Sequence, residues 1–149
     1  MAQSQASPEI HDAIRSLQRL TDLFRERRRQ LAREVDVSEA QWRLLEEIAG
    51  DDFMPSMFAR QNECTPAAVS RTLRQLLERD FVAVSISQDD ARQRVYRLTT
   101  SGQRILRRLN TSRERAIAAI WEQFSPAQLA RFTRFASALS DGLESYRRR

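Results

Sequence analysis

The feature that most constrains this fold is a change of hydrophobic period within one short stretch. The segment TPAAVSRTLRQLLERDFV, Thr65 to Val82, begins as a helix and ends as a strand. Thr65 can cap a helix with its hydroxyl, and Pro66 costs nothing at the first helical position, where its missing N–H has no partner to lose. At about 100° per residue, Val69, Leu73, Leu76 and Leu77 fall on one face and Ala67, Ala68, Arg71, Arg74 and Gln75 on the other. After Asp80 the period drops to two, with Val82, Val84 and Ile86 on one side and Ala83, Ser85 and Ser87 on the other. Val95 to Leu98 supplies a returning strand. Gln88 to Arg94 is then the tip of an antiparallel hairpin, carrying Asp89, Asp90, Arg92 and Arg94.

The rest of the chain has helical period. From Pro8, with Ser7 as cap, Ile10, Ile14, Leu17, Thr21, Phe24, Leu31 and Val35 trace one seam along a long helix. A second helix opens at Ser38 with Gln41 three residues on, turns Trp42, Leu45 and Ile48 inward and has Gly50 as its stop. Asp51 to Pro55 is a turn, and Ser56 to Asn62 a short helix with Met57, Phe58 and Ala59 facing in. Beyond the hairpin, a helix from Thr100 carries Ile105, Leu109, Ala116, Ile120 and Phe124. A last helix opens at Ser125-Pro126 and shows Leu129, Phe132, Ala136, Leu139, Leu143 and Tyr146 at three-four spacing. The expected fold is mainly α with a small antiparallel β-hairpin. At 149 residues it is a single domain with one core.

Composition narrows the chemistry. One cysteine and one histidine exclude an intramolecular disulfide and the usual Cys/His zinc site, so no metal is expected. The three glycines, Gly50, Gly102 and Gly142, are too far apart for a P-loop or a dinucleotide fingerprint, and no cofactor is expected. No nucleophile, base and orienting group can be paired, which argues against an enzyme. No apolar run reaches the length of a membrane span, and MAQSQASPEI lacks the regions of a secretion signal, so a cytoplasmic protein is expected. All 25 basic residues are arginine and the net charge is +5. Arginine's planar fork suits phosphate and guanine, although GC-rich codon usage yields the same bias. RNA is disfavoured, because no aromatic stacking platform accompanies the arginines.

Two short helices, the second with a small, basic outer face, followed by a hairpin with arginines at its tip, describe a winged helix-turn-helix. Its second helix enters the major groove of double-stranded DNA and the wing reaches a neighbouring groove or backbone. The sequence resembles the MarR family of transcriptional regulators in VSEAQWRLLEEI (Val37 to Ile48), the Thr65 to Val82 segment, DDAR (Asp89 to Arg92) and LTTSG (Leu98 to Gly102). QWR at Gln41 to Arg43 resembles the branch that represses homoprotocatechuate and related aromatic-acid degradation. The likeness runs over about Ile10 to Leu143. It implies a winged part at about 37–102, and dimerisation helices at about 8–35 and 103–146.

Together, fold and resemblance nominate Thr65, Pro66, Ala67, Ser70, Arg71, Arg74, Asp90, Arg92 and Arg94 for DNA. By resemblance, Ser70 and Arg71 contact DNA, Asp90 braces the wing and Arg92 is the wing arginine. Arg74 stands where many members carry an acidic residue, to meet a phosphate or to pair with Glu78. Asp80 stands where glycine is usual, in a left-handed cap. Between Arg60 and Arg97, seven arginines face five carboxylates, a net of +2, so affinity must come from placement and from doubling in a homodimer. Such a dimer would meet a near-palindromic site, and the alternative is a monomer whose end helices fold back as a private bundle.

The resemblance also implies release from DNA by a small aromatic or phenolic acid, with Trp42 as a wall and Arg15 or Arg19 to take the carboxylate. Plain core for Trp42 and plain surface for the arginines is the alternative. Cys64, just before the helix cap, is either a redox switch that controls DNA binding or a small buried residue. The run FRERRRQLAR, Phe24 to Arg33, reads as a solvated helix face, with contact of Arg27 to Arg29 to flanking phosphates in a dimer as the alternative, and His11 as exposed or interfacial.

Overall fold

The computed structural model describes residues 7–148 apart from Asp51, Asp89 and Ala91. Asp51 in the expected turn, Asp89 and Ala91 at the hairpin tip, and the first six residues of MAQSQASPEI lie outside the described residues. The order is α1 (Pro8–Glu34), α2 (Glu39–Ile48), α3 (Pro55–Gln61), α4 (Pro66–Glu78), β1 (Val82–Ile86), β2 (Arg94–Leu98), α5 (Thr100–Trp121) and α6 (Pro126–Arg147). This mainly helical chain with one antiparallel hairpin has the winged helix-turn-helix fold. It divides into two compact units, Met1–Thr111 and Ser112–Arg149.

Local chemistry sets the helix starts. Ser38 caps α2 in a full capping box: its hydroxyl accepts from Gln41 N at 3.1 Å, and Gln41 Oε1 accepts from Ser38 N at 3.0 Å. Ser125 and Gln128 repeat the device at α6. Among the described residues, three turns place non-glycine residues in the left-handed region: Asp36 at φ 56°, Glu63 at φ 51° and Asp80 at φ 55°. Asp80 takes the left-handed cap expected of it, and Phe81 N donates to Leu76 O at 2.9 Å to close the end of α4.

In the first unit, Trp42, Leu44 and Leu45 from α2, Phe58 from α3, Leu73 and Leu76 from α4, and Leu106 and Leu109 from α5 share one core. Each large side chain fully buried there contributes roughly 1.5–3 kcal/mol. The hairpin pairs Val82 with Leu98, Val84 with Tyr96 and Ile86 with Arg94. Its base is latched to α5. Thr99 N donates to Phe81 O at 3.1 Å, Thr99 Oγ donates to Asp80 O at 2.6 Å, and Gly102 N donates to Thr99 Oγ at 3.0 Å.

Several details correct the expectations. Arg94 belongs to β2 rather than to the tip, because its backbone pairs with Ile86. Met57 is exposed while Phe58 and Ala59 are buried, since a helix this short has room for only one inward turn. The cap of α2 is Ala49 in the right-handed region, so Gly50 lies beyond it and no glycine has positive φ. Phe124 follows the end of α5 in the turn before α6. On the inward side of β1 only Val82 is buried; Val84 and Ile86 are exposed as the hairpin leaves the core. The long helices are left largely uncovered. Ile10, Ile14, Leu17 and Phe24 on α1 are exposed, α6 has no buried residue, and Leu143 and Tyr146 are 61% and 78% exposed.

Candidate nucleic-acid interface

The start of α4 is built for an anion. Thr65 Oγ accepts from Ala68 N at 3.1 Å, and Pro66 has no N–H, so the Ala67 amide is the open donor of the first turn. A helix N-terminus carries roughly half a positive charge, and Ala67 and Ala68 let a phosphate come close. Ser70, Arg71 and Arg74 follow on the exposed face while Val69, Leu73 and Leu76 are buried beneath them. Among the described residues no carboxylate pairs with Arg71 or Arg74, and Glu78 does not hold Arg74.

The wing turn is held by Asp90. Its Oδ1 accepts from Arg92 N at 2.9 Å and its carbonyl from Gln93 N at 2.9 Å, an Asx-type turn closed by Ser87 N donating to Gln93 O at 2.9 Å. Arg92 and Arg94 stand exposed on the turn and the adjoining strand. The residues nominated for DNA therefore lie in two places, the outer face of α4 and the hairpin turn with its adjoining strand, both within the first unit.

The residues nominated for a ligand are not gathered into one place. Arg15 is ion-paired with Asp12 on exposed α1, and Arg19 is exposed one turn on. Trp42 is 1% exposed, with the Arg28 guanidinium 4.0 Å over its ring, and Arg28 in turn bonds Glu46 at 3.0 Å. A cleft of about 430 Å³ lies elsewhere, between the end of α2, β2 and α5, lined by Ile48, Tyr96, Arg97, Leu106, Arg107 and Asn110 among others. Among the described residues its lining includes two arginines and no carboxylate, and the buried Asn110 Oδ1 finds no donor. Three separated segments make this cleft, so no local sequence signal announces it.

Cys64 is half-buried against the core, its N–H donating to Ala59 O at 3.0 Å, and lines a recess with Arg43, Phe58 and Val69. FRERRRQLAR carries ion pairs, Arg33 to Glu26 at 3.0 Å and Arg29 to Glu39 at 3.7 Å, but it is a solvated face only in part, since Leu31 and Ala32 are buried and Arg28 packs over Trp42. His11 is exposed. Among the described residues no three His, Cys, Asp or Glu side chains converge as a metal site, and no helix is long and apolar enough to cross a membrane.

No protein-family profile matches this sequence, and neither does any curated protein. Solved structures do match. A MarR family transcription regulator aligns with a TM-score of 0.85 and 16% identity, covering 95% of this chain and 94% of its own. Staphylococcus aureus MarR in complex with salicylate and kanamycin aligns at 0.76 and 17%, covering 91% and 92%. The complex of S. aureus MepR with DNA aligns at 0.68 and 16%, covering 85% and 93%. At these identities the likeness is one of fold.

Proposed function

We propose that this chain is a MarR-family transcriptional regulator: a homodimer, cytoplasmic, that binds a near-palindromic site in double-stranded DNA and represses a small operon. The observation that carries the reading is the uncovered outer face of α4, where an open helix N-terminus and two unpaired arginines stand ready for DNA. Thr65, Pro66 and Ala67 approach phosphate, Ser70, Arg71 and Arg74 face the major groove, and the Asp90-braced turn carries Arg92 and Arg94 to the flank. The DNA-bound MepR of like fold supports this assignment. The exposed apolar faces of α1 and α6 support the dimer, since a second copy would remove them from water. On this reading the whole chain is one functional domain, 37–102 binding DNA, and 8–35 and 103–146 joining the copies.

The same proposal includes an acidic effector. The cleft between α2, β2 and α5 supports it better than Arg15, Arg19 and Trp42 do, because Arg97 and Arg107 both line it with no carboxylate among its described lining residues, and Tyr96 adds an aromatic edge. A small aromatic acid there suits the two guanidinium groups, and the salicylate complex of S. aureus MarR is a precedent of like fold. A ligand that prefers a displaced arrangement of the recognition helices weakens DNA binding by that preference.

The test is fluorescence anisotropy with a selected DNA fragment, comparing the wild type with Arg71→Ala and Arg74→Ala. Loss of affinity in correctly folded variants supports the reading; wild-type affinity in both overturns it.

A further inference from the structure

The apolar face of α4 fixes which side of the helix meets the core, and polar contacts to its neighbours narrow the play left in its roll about its own axis. Directional contacts to α4 come from one buried amide and one arginine. Gln41 is the only buried polar side chain among the described residues, 7% exposed. Its Oε1 accepts from Ser38 N at 3.0 Å and from Arg79 Nη1 at 3.3 Å, and its Nε2 donates to Gln75 Oε1 at 3.2 Å. A capping box is served by glutamate as well as by glutamine, and a negative charge at a helix start is favourable. Gln41 therefore serves two roles at once, the cap of α2 and a polar tie to Gln75 on α4.

Arg79, at the end of α4, extends the same brace. It donates to the Asp36 carbonyl, lies 3.3 Å from the Asp36 carboxylate and stacks 4.6 Å over the Phe81 ring. Asp36 sits at φ 56° in the turn between α1 and α2. Gln75 and Arg79 are four residues apart and share one face of α4, so two successive turns of the helix are pegged to α2 and to the turn before it.

Resting on the DNA-binding reading, we infer that Gln41 and Arg79 are positioning residues that set the roll of the recognition helix and so its discrimination between DNA sequences, without touching DNA. Base readout by arginine needs bidentate geometry, and functional side chains must be held within about 0.5 Å and 10–20° of it. Phosphate attraction tolerates far more. Loosening the brace should therefore reduce specific binding while leaving nonspecific binding intact.

The experiment compares the affinities of the full-length protein for a selected operator and for random duplex, using wild type, Gln75→Ala, Arg79→Lys and Arg79→Ala, each well below its own Tm. Gln75→Ala removes the tie from α4 to Gln41 and leaves the Ser38–Gln41 cap in place. A fall of about tenfold in the specific-to-random ratio is expected for Gln75→Ala and Arg79→Ala, the size of one mismatched base pair. Arg79→Lys, which can still donate to Asp36, should fall between. Random-duplex affinity should stay within about twofold, as phosphate contacts set it. If Arg79→Ala does not fold, Gln75→Ala decides. An unchanged ratio in folded Gln75→Ala, or specific and random binding falling together, overturns the inference. A wild type that selects no sequence overturns the DNA reading itself, and the inference with it.

Discussion

Replacing Gly102 by alanine sets two physical effects against each other. Glycine inside a helix usually costs roughly 0.5–1 kcal/mol relative to alanine, so propensity alone expects Gly102→Ala in α5 to stabilise the protein. The structure says otherwise. A Cβ at Gly102 would lie 2.0 Å from Phe81 O and 2.9 Å from Phe81 C, whereas contacts of a Cβ closer than 3.0 Å essentially never occur. About 1 Å of movement is needed, and both colliding groups are backbone. Phe81 O also accepts from Thr99 N at 3.1 Å, so the movement must strain or break the latch between the hairpin and α5. Overpacking of this kind costs about 1–3 kcal/mol, and a lost hydrogen bond about 0.5–1.5 kcal/mol. Less the propensity gain, the expected net loss is about 2 kcal/mol, which for a chain of this size lowers Tm by about 4–8 °C. Thermal and urea unfolding followed by circular dichroism, at one protein concentration because a dimer's stability depends on it, measure the change. A Gly102→Ala protein as stable as the wild type would refute the reasoning.

Four further outcomes follow from the proposed function. Arg71→Ala should weaken operator binding by about 1–3 kcal/mol if its fork meets a guanine, while Arg74→Ala, if it meets a phosphate, should weaken all sequences alike and reduce the salt slope by about 1; anisotropy across a salt series separates them. Leu139→Arg on the open face of α6 should shift the protein from dimer to monomer in sedimentation, and a wild type that sediments as a monomer at micromolar concentration would contradict the dimer. Isothermal titration with salicylate, hydroxyphenylacetate and hydroxycinnamate should give heat with at least one compound, lost in Arg97→Gln or Arg107→Gln but kept in Arg15→Gln; no heat with any of them sinks the effector. Peroxide should leave DNA binding unchanged in wild type and Cys64→Ser alike; release confined to the wild type would favour the redox alternative.

The sequence makes the recognition helix legible because its cap, its proline and its apolar face are all local and agree. Ser38 with Gln41, and Ser125 with Gln128, are legible for the same reason. The errors arise where tertiary context decides. Arg94 looks like part of a charged tip, yet backbone pairing with Ile86 makes it a strand residue. Phe124 continues the three-four rhythm of α5 although the helix has ended, because side-chain periodicity does not sense the cap of the next helix. Trp42 offers no sign in sequence that Arg28, fourteen residues earlier, lies across its ring. Gln41 shows its capping role within four residues, but its bond to Gln75 spans thirty-four. Long-range polar contacts between elements leave no period to read. The cleft at Arg97 and Arg107 is hidden for the same reason.

The central claim is that two copies of α4 read one DNA site together. Selection of fragments from the source genome by the purified protein, at about 150 mM salt to suppress nonspecific phosphate binding, followed by sequencing, tests it most directly. Enrichment of a near-palindrome is expected, with half-sites centred one helical turn apart, about 10–10.5 base pairs, or a multiple of that. No enriched sequence, or an asymmetric single site bound by one copy, would contradict it.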